Sequence, residues 1–164
     1  MIGIDISRSE LAQGARQLGA RATLGCARAQ ALPLRAASVE HVLSHMALML
    51  MDESTKVLAE LQRVLVPGGG FAAIVGARVT NCQVSETFLD VLRPFVSSLA
   101  WQPLRLGDRR WWDEAGIRDL LAGFDEVRIV TAIVERRVTP ALAWEWLAET
   151  YDPVRLADAE RVTL

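Results

Sequence analysis

A chain of 164 residues can bury the core of one domain, and its composition, 51% hydrophobic and 23% charged, excludes an intrinsically disordered protein. The formal net charge is −2, and the 18 basic residues, of which only Lys56 is lysine, are interleaved with acids, so no basic stripe marks a nucleic-acid face. Cys26 and Cys82 are far apart and lack C-x-x-C spacing, which implies neither a disulfide framework nor a zinc site and makes a reducing cytoplasm the expected compartment.

The chain opens on Ile2, Gly3, Ile4, Asp5 and Ile6, a short β-branched run that reads as a strand. It is far too short for a signal segment or a membrane span. Ser7 to Glu10 forms S-x-x-E, a capping box, and Leu11, Ala12, Ala15 and Leu18 then share a helical face that Gly19 closes. Ala22 to Gly25 is the next candidate strand, and residues 26–30 form its exit loop.

From Gln30 to Gly76 the sequence reads as a complete strand, crossover helix and strand. Val39 to Ser44 is a buried strand, and from Asp52 to Val66 the stripe of Val57, Leu58, Leu61, Val64 and Leu65 predicts a helix with Asp52 as its N-cap. Lys56, Glu60, Gln62 and Arg63 fall on the solvent side of that helix. Pro67 ends it, and Gly68 to Gly70 permit a tight reversal into the strand Phe71 to Gly76. A unit of this length predicts a right-handed parallel pair. The glycines follow a helix and precede a strand, the wrong order for a phosphate loop.

Residues 77–86 read as a loop, and residues 87–99 as an amphipathic helix with Phe88, Leu92, Phe95, Val96 and Leu99 inward. Asp113 caps a short helix carrying Ile117, Leu120 and Leu121, which Gly123 closes before an alternating strand, Glu126 to Val134. Thr139 and Pro140 open a helix whose Leu142, Trp146 and Leu147 share a face, and residues 153–164 read as a polar helical segment.

The runs LPL, ASVEHVLSHMAL and ELQRVLVPGGGFAAIVG resemble the middle of a class I S-adenosylmethionine-dependent methyltransferase, similar to the ubiquinone and menaquinone group of small-molecule enzymes. The resemblance implies an α/β, Rossmann-like doubly wound and mostly parallel sheet with helices on both faces, forming one domain over residues 1–164. It implies S-adenosylmethionine as cofactor and methyl transfer to oxygen, nitrogen or carbon of a small-molecule acceptor. In such a sheet the ligand lies at the carboxyl ends of the strands.

By resemblance, Asp5 matches the acid that accepts from the ribose hydroxyls and Ile6 the apolar residue flanking adenine. The alternative for Asp5 is a cap of the helix beside Ser7. Where the family usually has an Asp that accepts from the adenine amine, this chain has Arg28 followed by Ala29, and arginine has no acceptor. Arg28 either stacks on the ring or turns to solvent, and the Ala29 main chain remains available to adenine. Ser44, His45 and Met46 end the central strand and face the sulfonium end of the cofactor. His45 is a candidate general base, although in-line positioning alone accounts for much of a methyl transfer. His41 and His45 are not expected to share a face as helical ligands would, no third ligand accompanies them, and no metal is expected. Met46, Met49 and Met51 read as gap-filling core. Trp111 and Trp112 lie where relatives place lid elements, or else pack against the sheet.

Relatives carry about 30 further residues before the position of Met1, with the central first strand and the glycine-rich loop that holds the methionine part of the cofactor. They also add a last antiparallel strand. The chain is therefore expected to be a truncated domain whose strands expose edges or pair directly, and a homodimer or another partner is expected to cover those edges. Two further readings stay open. One is a non-catalytic methyltransferase-like binding or scaffold module. The other is a nicotinamide-binding domain, which the LPL and VLVPGGG landmarks disfavour.

Overall fold

The computed structural model describes residues 1–76, 83–96 and 107–148. Two compact units are present, the first formed by Met1–Arg78 with Leu106–Arg128, the second by Val79–Arg105 with Ile129–Leu164. Of the loop expected at residues 77–86, residues 77–82 lie outside the described residues, as do the end of the helix expected to reach residue 99, the segment 153–164, Cys82 and the side chains of Phe95 and Val96, whereas residues 83–86 are helical and not loop.

The first unit begins with β1 (Ile2–Asp5), α1 (Arg8–Leu18) and β2 (Thr23–Cys26), with β1 and β2 parallel and in register from Ile2 opposite Thr23 to Asp5 opposite Cys26. Ser7 caps α1, its Oγ accepting from the Glu10 amide at 3.3 Å, and Gly19 closes the helix at φ 53°. Half of the expected capping box is replaced. The Ser7 amide donates at 2.7 Å to Asp5 Oδ1, so Asp5 holds the entry to α1 from the end of the preceding strand.

β3 (Val39–His45), α2 (Ser54–Val64) and β4 (Leu65–Ile74) complete the parallel unit expected from the sequence, but β3 is not the buried strand expected, since none of its residues is buried and Leu43 is exposed. α2 buries the expected stripe of Val57, Leu58, Leu61 and Val64, together with Ser54. Its start differs from expectation. Glu53, in the left-handed region at φ 54°, is the N-cap residue and gives no side-chain cap, so Asp52 does not cap the helix. The helix ends at Val64, before Pro67. β4 then loops out of the ladder, since Val39 faces Leu65 while His41 faces Gly70. Within the loop-out only Gly68 among the three glycines takes a positive φ, 77°. Gly69 is required for space, because a Cβ there would lie 2.9 Å from the carbonyl oxygens of both Glu40 and Val66.

The two strand pairs form separate two-stranded parallel sheets, and no hydrogen-bonded ladder joins β1 to β3 among the described residues. The sheet topology is thus mostly parallel α/β, as expected, but divided. One core packs around α2. Leu48, Val57, Leu58, Leu61, Trp111 and Leu120 are buried together, with Ala29, Leu32, Val42, Met49, Met51 and Phe71 half-buried against them. Met49 and Met51 fill this core as expected, whereas Met46 is exposed and turns the chain after β3 at φ 53°.

A short 3₁₀ turn, Arg109–Trp112, leads into α4 (Glu114–Leu120), which Asp113 caps through the Gly116 amide at 2.8 Å. Gln62 Nε2 reaches the Gly123 carbonyl at 2.6 Å and ties the end of α4 to α2. In the second unit, α3 (Gln83–Val96) contains Pro94 and buries Leu92. α5 (Pro140–Ala148) starts where expected, with Thr139 Oγ1 accepting from the Leu142 amide. Its buried residue is Ala143, while Trp146 is half exposed and carries Arg136 over its ring at 5.3 Å. The strand expected at Glu126 to Val134 is not formed. Val130, Ile133 and Val134 stand 73–89% exposed, without a ladder partner among the described residues. No helix among the described residues is long and apolar enough to cross a membrane.

Candidate cofactor site

The carboxyl ends of β1 and β2 lie side by side because the strands are parallel and in register. The Ala27 amide donates to the Asp5 carbonyl at 3.1 Å, and Cys26 Sγ approaches the Ile6 carbonyl at 3.5 Å, so the two exits are stitched together. Asp5 is exposed. One carboxylate oxygen accepts from Ser7, and the other has no protein partner among the described residues, which leaves it free to accept from a ligand hydroxyl. Ile6, 64% exposed beside it, offers an apolar surface. An open groove of about 210 Å³ lies between β1, β2 and α1, lined by Gly3, Ile4, Asp5, Glu10, Leu11, Gly14 and Leu24 and reaching the candidate site only at Asp5. It falls below the roughly 300–1,000 Å³ of small-molecule pockets.

Arg28 and Ala29 leave β2 next to this group. Arg28 is exposed, and its charge helps to hold the Glu53 carboxyl below the usual range, behind the larger effects of the Lys56 hydrogen bond and charge. A turn closes from the Ala31 amide to the Arg28 carbonyl, and Gln30 Nε2 donates to the Asp52 carbonyl at 2.8 Å. Ala29 packs inward against the Leu48 core.

Ser44 and His45 end the other sheet, opposite Ala73 and Ile74, with Ser44 half-buried and His45 exposed. The Met46 amide donates to the Ile74 carbonyl at 2.8 Å and fixes the turn after them. His41, Leu43 and His45 occupy one face of β3, as strand alternation requires, which corrects the expectation for the histidines. No hydrogen bond or ion pair among the described residues joins the Asp5 group to the Ser44 group.

Trp111 is not a lid residue. It is 1% exposed, and its Nε1 donates at 2.9 Å to the buried Ser54 hydroxyl, while Trp112 is exposed with Arg109 near its ring. Arg110 bridges Asp108 and Asp119, holds the Asp108 carboxyl below its ordinary range, and is itself raised, first by Asp108 and then by Asp119.

Sequence reasoning missed the pair Glu60 and Arg63, assigned above to the solvent face. Glu60 Oε2 accepts from the Leu32 amide at 2.7 Å, and Arg63 donates to the carbonyls of Leu32 and Leu34 at 3.0 and 2.8 Å. Hydrogen bonding to Arg63, and next to the Leu32 amide, lowers the Glu60 carboxyl to about 2. The available signal was the E-x-x-R spacing on α2.

The sequence profile of the methyltransferase domain family matches residues 1–73. Among solved structures, a complex of the Haloferax volcanii Trm112 methyltransferase activator with a methyltransferase is 22% identical, at TM-score 0.54, over 74% of this chain and 48% of that one. The MccD protein is 20% identical, at TM-score 0.50, over 74% of this chain and 51% of that one. An S-adenosylmethionine-dependent methyltransferase from Mesorhizobium loti is 27% identical over 46% of this chain and 36% of that one, at TM-score 0.42. The chain thus spans about half or less of the solved structures it matches. Comparison with curated proteins gives no match. The first two structures show a shared fold, and the methyltransferase domain match over residues 1–73, under half of the chain, supports an S-adenosylmethionine-dependent methyltransferase domain there and implies S-adenosylmethionine as the cofactor.

Proposed function

We propose that the chain supplies the adenosine half of a site that transfers a methyl group from S-adenosylmethionine to a small molecule. The observation that carries this reading is the pairing of the β1 and β2 exits, which presents a free Asp5 oxygen beside Ile6 and the Ala27–Ala29 main chain. Asp5 suits the ribose, since an ionised carboxylate oxygen accepts strongly from hydroxyl donors. Ile6 offers an apolar wall for adenine. Arg28 does not suit the adenine amine, because a guanidinium cannot accept, so recognition of that amine falls to main-chain carbonyls near Ala29. When bound, the cofactor supplies an electrophilic methyl group on a sulfonium. Ser44 and His45 are proposed to contact its methionine end or the acceptor, with His45 able to take a proton from an acceptor hydroxyl.

Equilibrium dialysis of the chain against labelled S-adenosylmethionine tests the reading. Saturable binding is expected, and Arg28→Asp is expected to bind equally or more tightly by restoring an acceptor. Weaker binding by Arg28→Asp would place the guanidinium on the ring. No saturable binding at millimolar cofactor would contradict the reading.

A second reading, a non-catalytic module that docks a partner or a second copy, is favoured by one observation. The β3–β4 sheet leaves Leu43 80% and Ile74 56% exposed. A dimer in sedimentation equilibrium, combined with no cofactor binding, supports it.

A further inference from the structure

Among the described residues the two sheets of the first unit share no ladder, so the distance between the Asp5 group and the Ser44 group is set by something other than strand pairing. The connection from β2 to β3 is held to α2 at Leu32 and Leu34, and Gln30 is held to Asp52 just before that helix. Glu60 accepts from the Leu32 amide, and Arg63 spans the carbonyls of Leu32 and Leu34 while forking onto both Glu60 oxygens at 2.6 and 2.8 Å. Farther along, the amides of Ala37 and Ser38 donate to the carbonyls of Arg63 and Val64 at 2.8 Å each. α2 is covalently continuous with β4, and β4 pairs with β3. The chain leaving the Asp5 sheet is therefore bolted to the element that carries the Ser44 sheet.

We infer that Glu60 and Arg63 are positioning residues that fix the spacing between the two halves of the site. The purpose of that spacing rests on the cofactor reading above, while the spacing itself does not. The clamp is built for rigidity. A planar guanidinium can satisfy two carbonyls and a carboxylate at once, and Glu60 keeps its charge because it is paired. An ordinary surface pair of this i,i+3 type contributes little, but here each partner also binds the main chain of a distant segment.

The test uses the full chain with spin labels on exposed Gln13→Cys in α1 and Glu40→Cys in β3, with Cys26→Ser and Cys82→Ser. Pulsed electron spin resonance is expected to give one narrow distance distribution, and Arg63→Met is expected to broaden it at least twofold. Arg63→Lys keeps the charge beside Glu60 but lacks the fork, and serves as the gentler variant if the first fails to fold. It too is expected to broaden the distribution. Unchanged widths in variants that retain helical circular dichroism would overturn the inference, because a role confined to stability would move the melting temperature alone. In parallel, both variants are expected to bind S-adenosylmethionine at least tenfold more weakly than the parent. A parent that binds no cofactor but whose labels respond as expected removes the functional reading and leaves the clamp in place. Broadened labels with unchanged affinity would overturn the link from clamp to site.

Discussion

Ser54 is buried between two partners, the Trp111 indole that donates to it and the Asp108 carboxylate whose charge it helps to hold. Trp111→Phe keeps most of the ring volume but withdraws the donor, so urea unfolding should show a loss of about 1–3 kcal/mol. Trp111→Ala should lose about 3–5 kcal/mol, and a loss below 1 kcal/mol would show that the indole is not part of the core. Glu60 makes a pH prediction. Its carboxyl is lowered from an ordinary 4.5 to about 2, a depressed acid, so its contribution to stability is fully present above pH 4.5 and is lost as pH falls toward 2. Urea midpoints from pH 6 to pH 2.5 should fall more steeply for the parent than for Glu60→Gln, and parallel curves would refute the assignment. At this scale the sequence was informative where one residue meets its neighbours in the chain. Asp5 at a strand end, Ser7 before a helix and Asp113 before another could each be read from local order. Glu60 and Arg63 could not, since an i,i+3 ion pair on a helix looks solvated until a segment some 30 residues away is laid across it.

At the level of elements, the turn from α2 into β4 separates two roles of glycine that sequence alone merges. Gly68 needs its left-handed φ but has open space around a Cβ, so Gly68→Ala should cost about 1 kcal/mol. Gly69→Ala should cost more, because its Cβ would meet two main-chain oxygens that cannot move without breaking the β4 loop-out. Thermal melts of the two variants decide the point, and equal shifts would show that the loop-out relaxes freely. Periodicity identified α1, α2, α4 and α5 because each buries at least part of an apolar stripe or takes a local cap. It failed for residues 126–134, where alternation of Val127, Ile129 and Ile133 signals a strand. A strand also needs an edge to pair with, and that is a property of the neighbouring chain, not of the segment. It was also one residue off at the start of α2, where Glu53 in a left-handed conformation replaces the side-chain cap expected from Asp52.

For the molecule as a whole, parallel β1–β2 and β3–β4 pairs were legible from the alternation of strands and helices, whereas their separation into two sheets was not. Strand order depends on which edges meet, and local pattern does not encode it. The bare face of β3–β4 yields a direct check. Leu43→Ser should change stability by no more than about 0.5 kcal/mol in the isolated chain, as for any exposed site, and a loss above 2 kcal/mol would mean that this face is covered in solution. The central claim concerns Asp5, at the paired exits of β1 and β2. Asp5→Asn keeps a carbonyl oxygen for the Ser7 amide, and hence the entry to α1, but removes the charge proposed to meet the ribose. Calorimetric titration of S-adenosylmethionine into the parent and into Asp5→Asn tests the claim most directly. Saturable binding by the parent is expected and, since charged hydrogen bonds exceed neutral ones by about 1 kcal/mol or more each, at least a roughly tenfold weaker binding by the variant. Equal affinities in two equally folded proteins would contradict it.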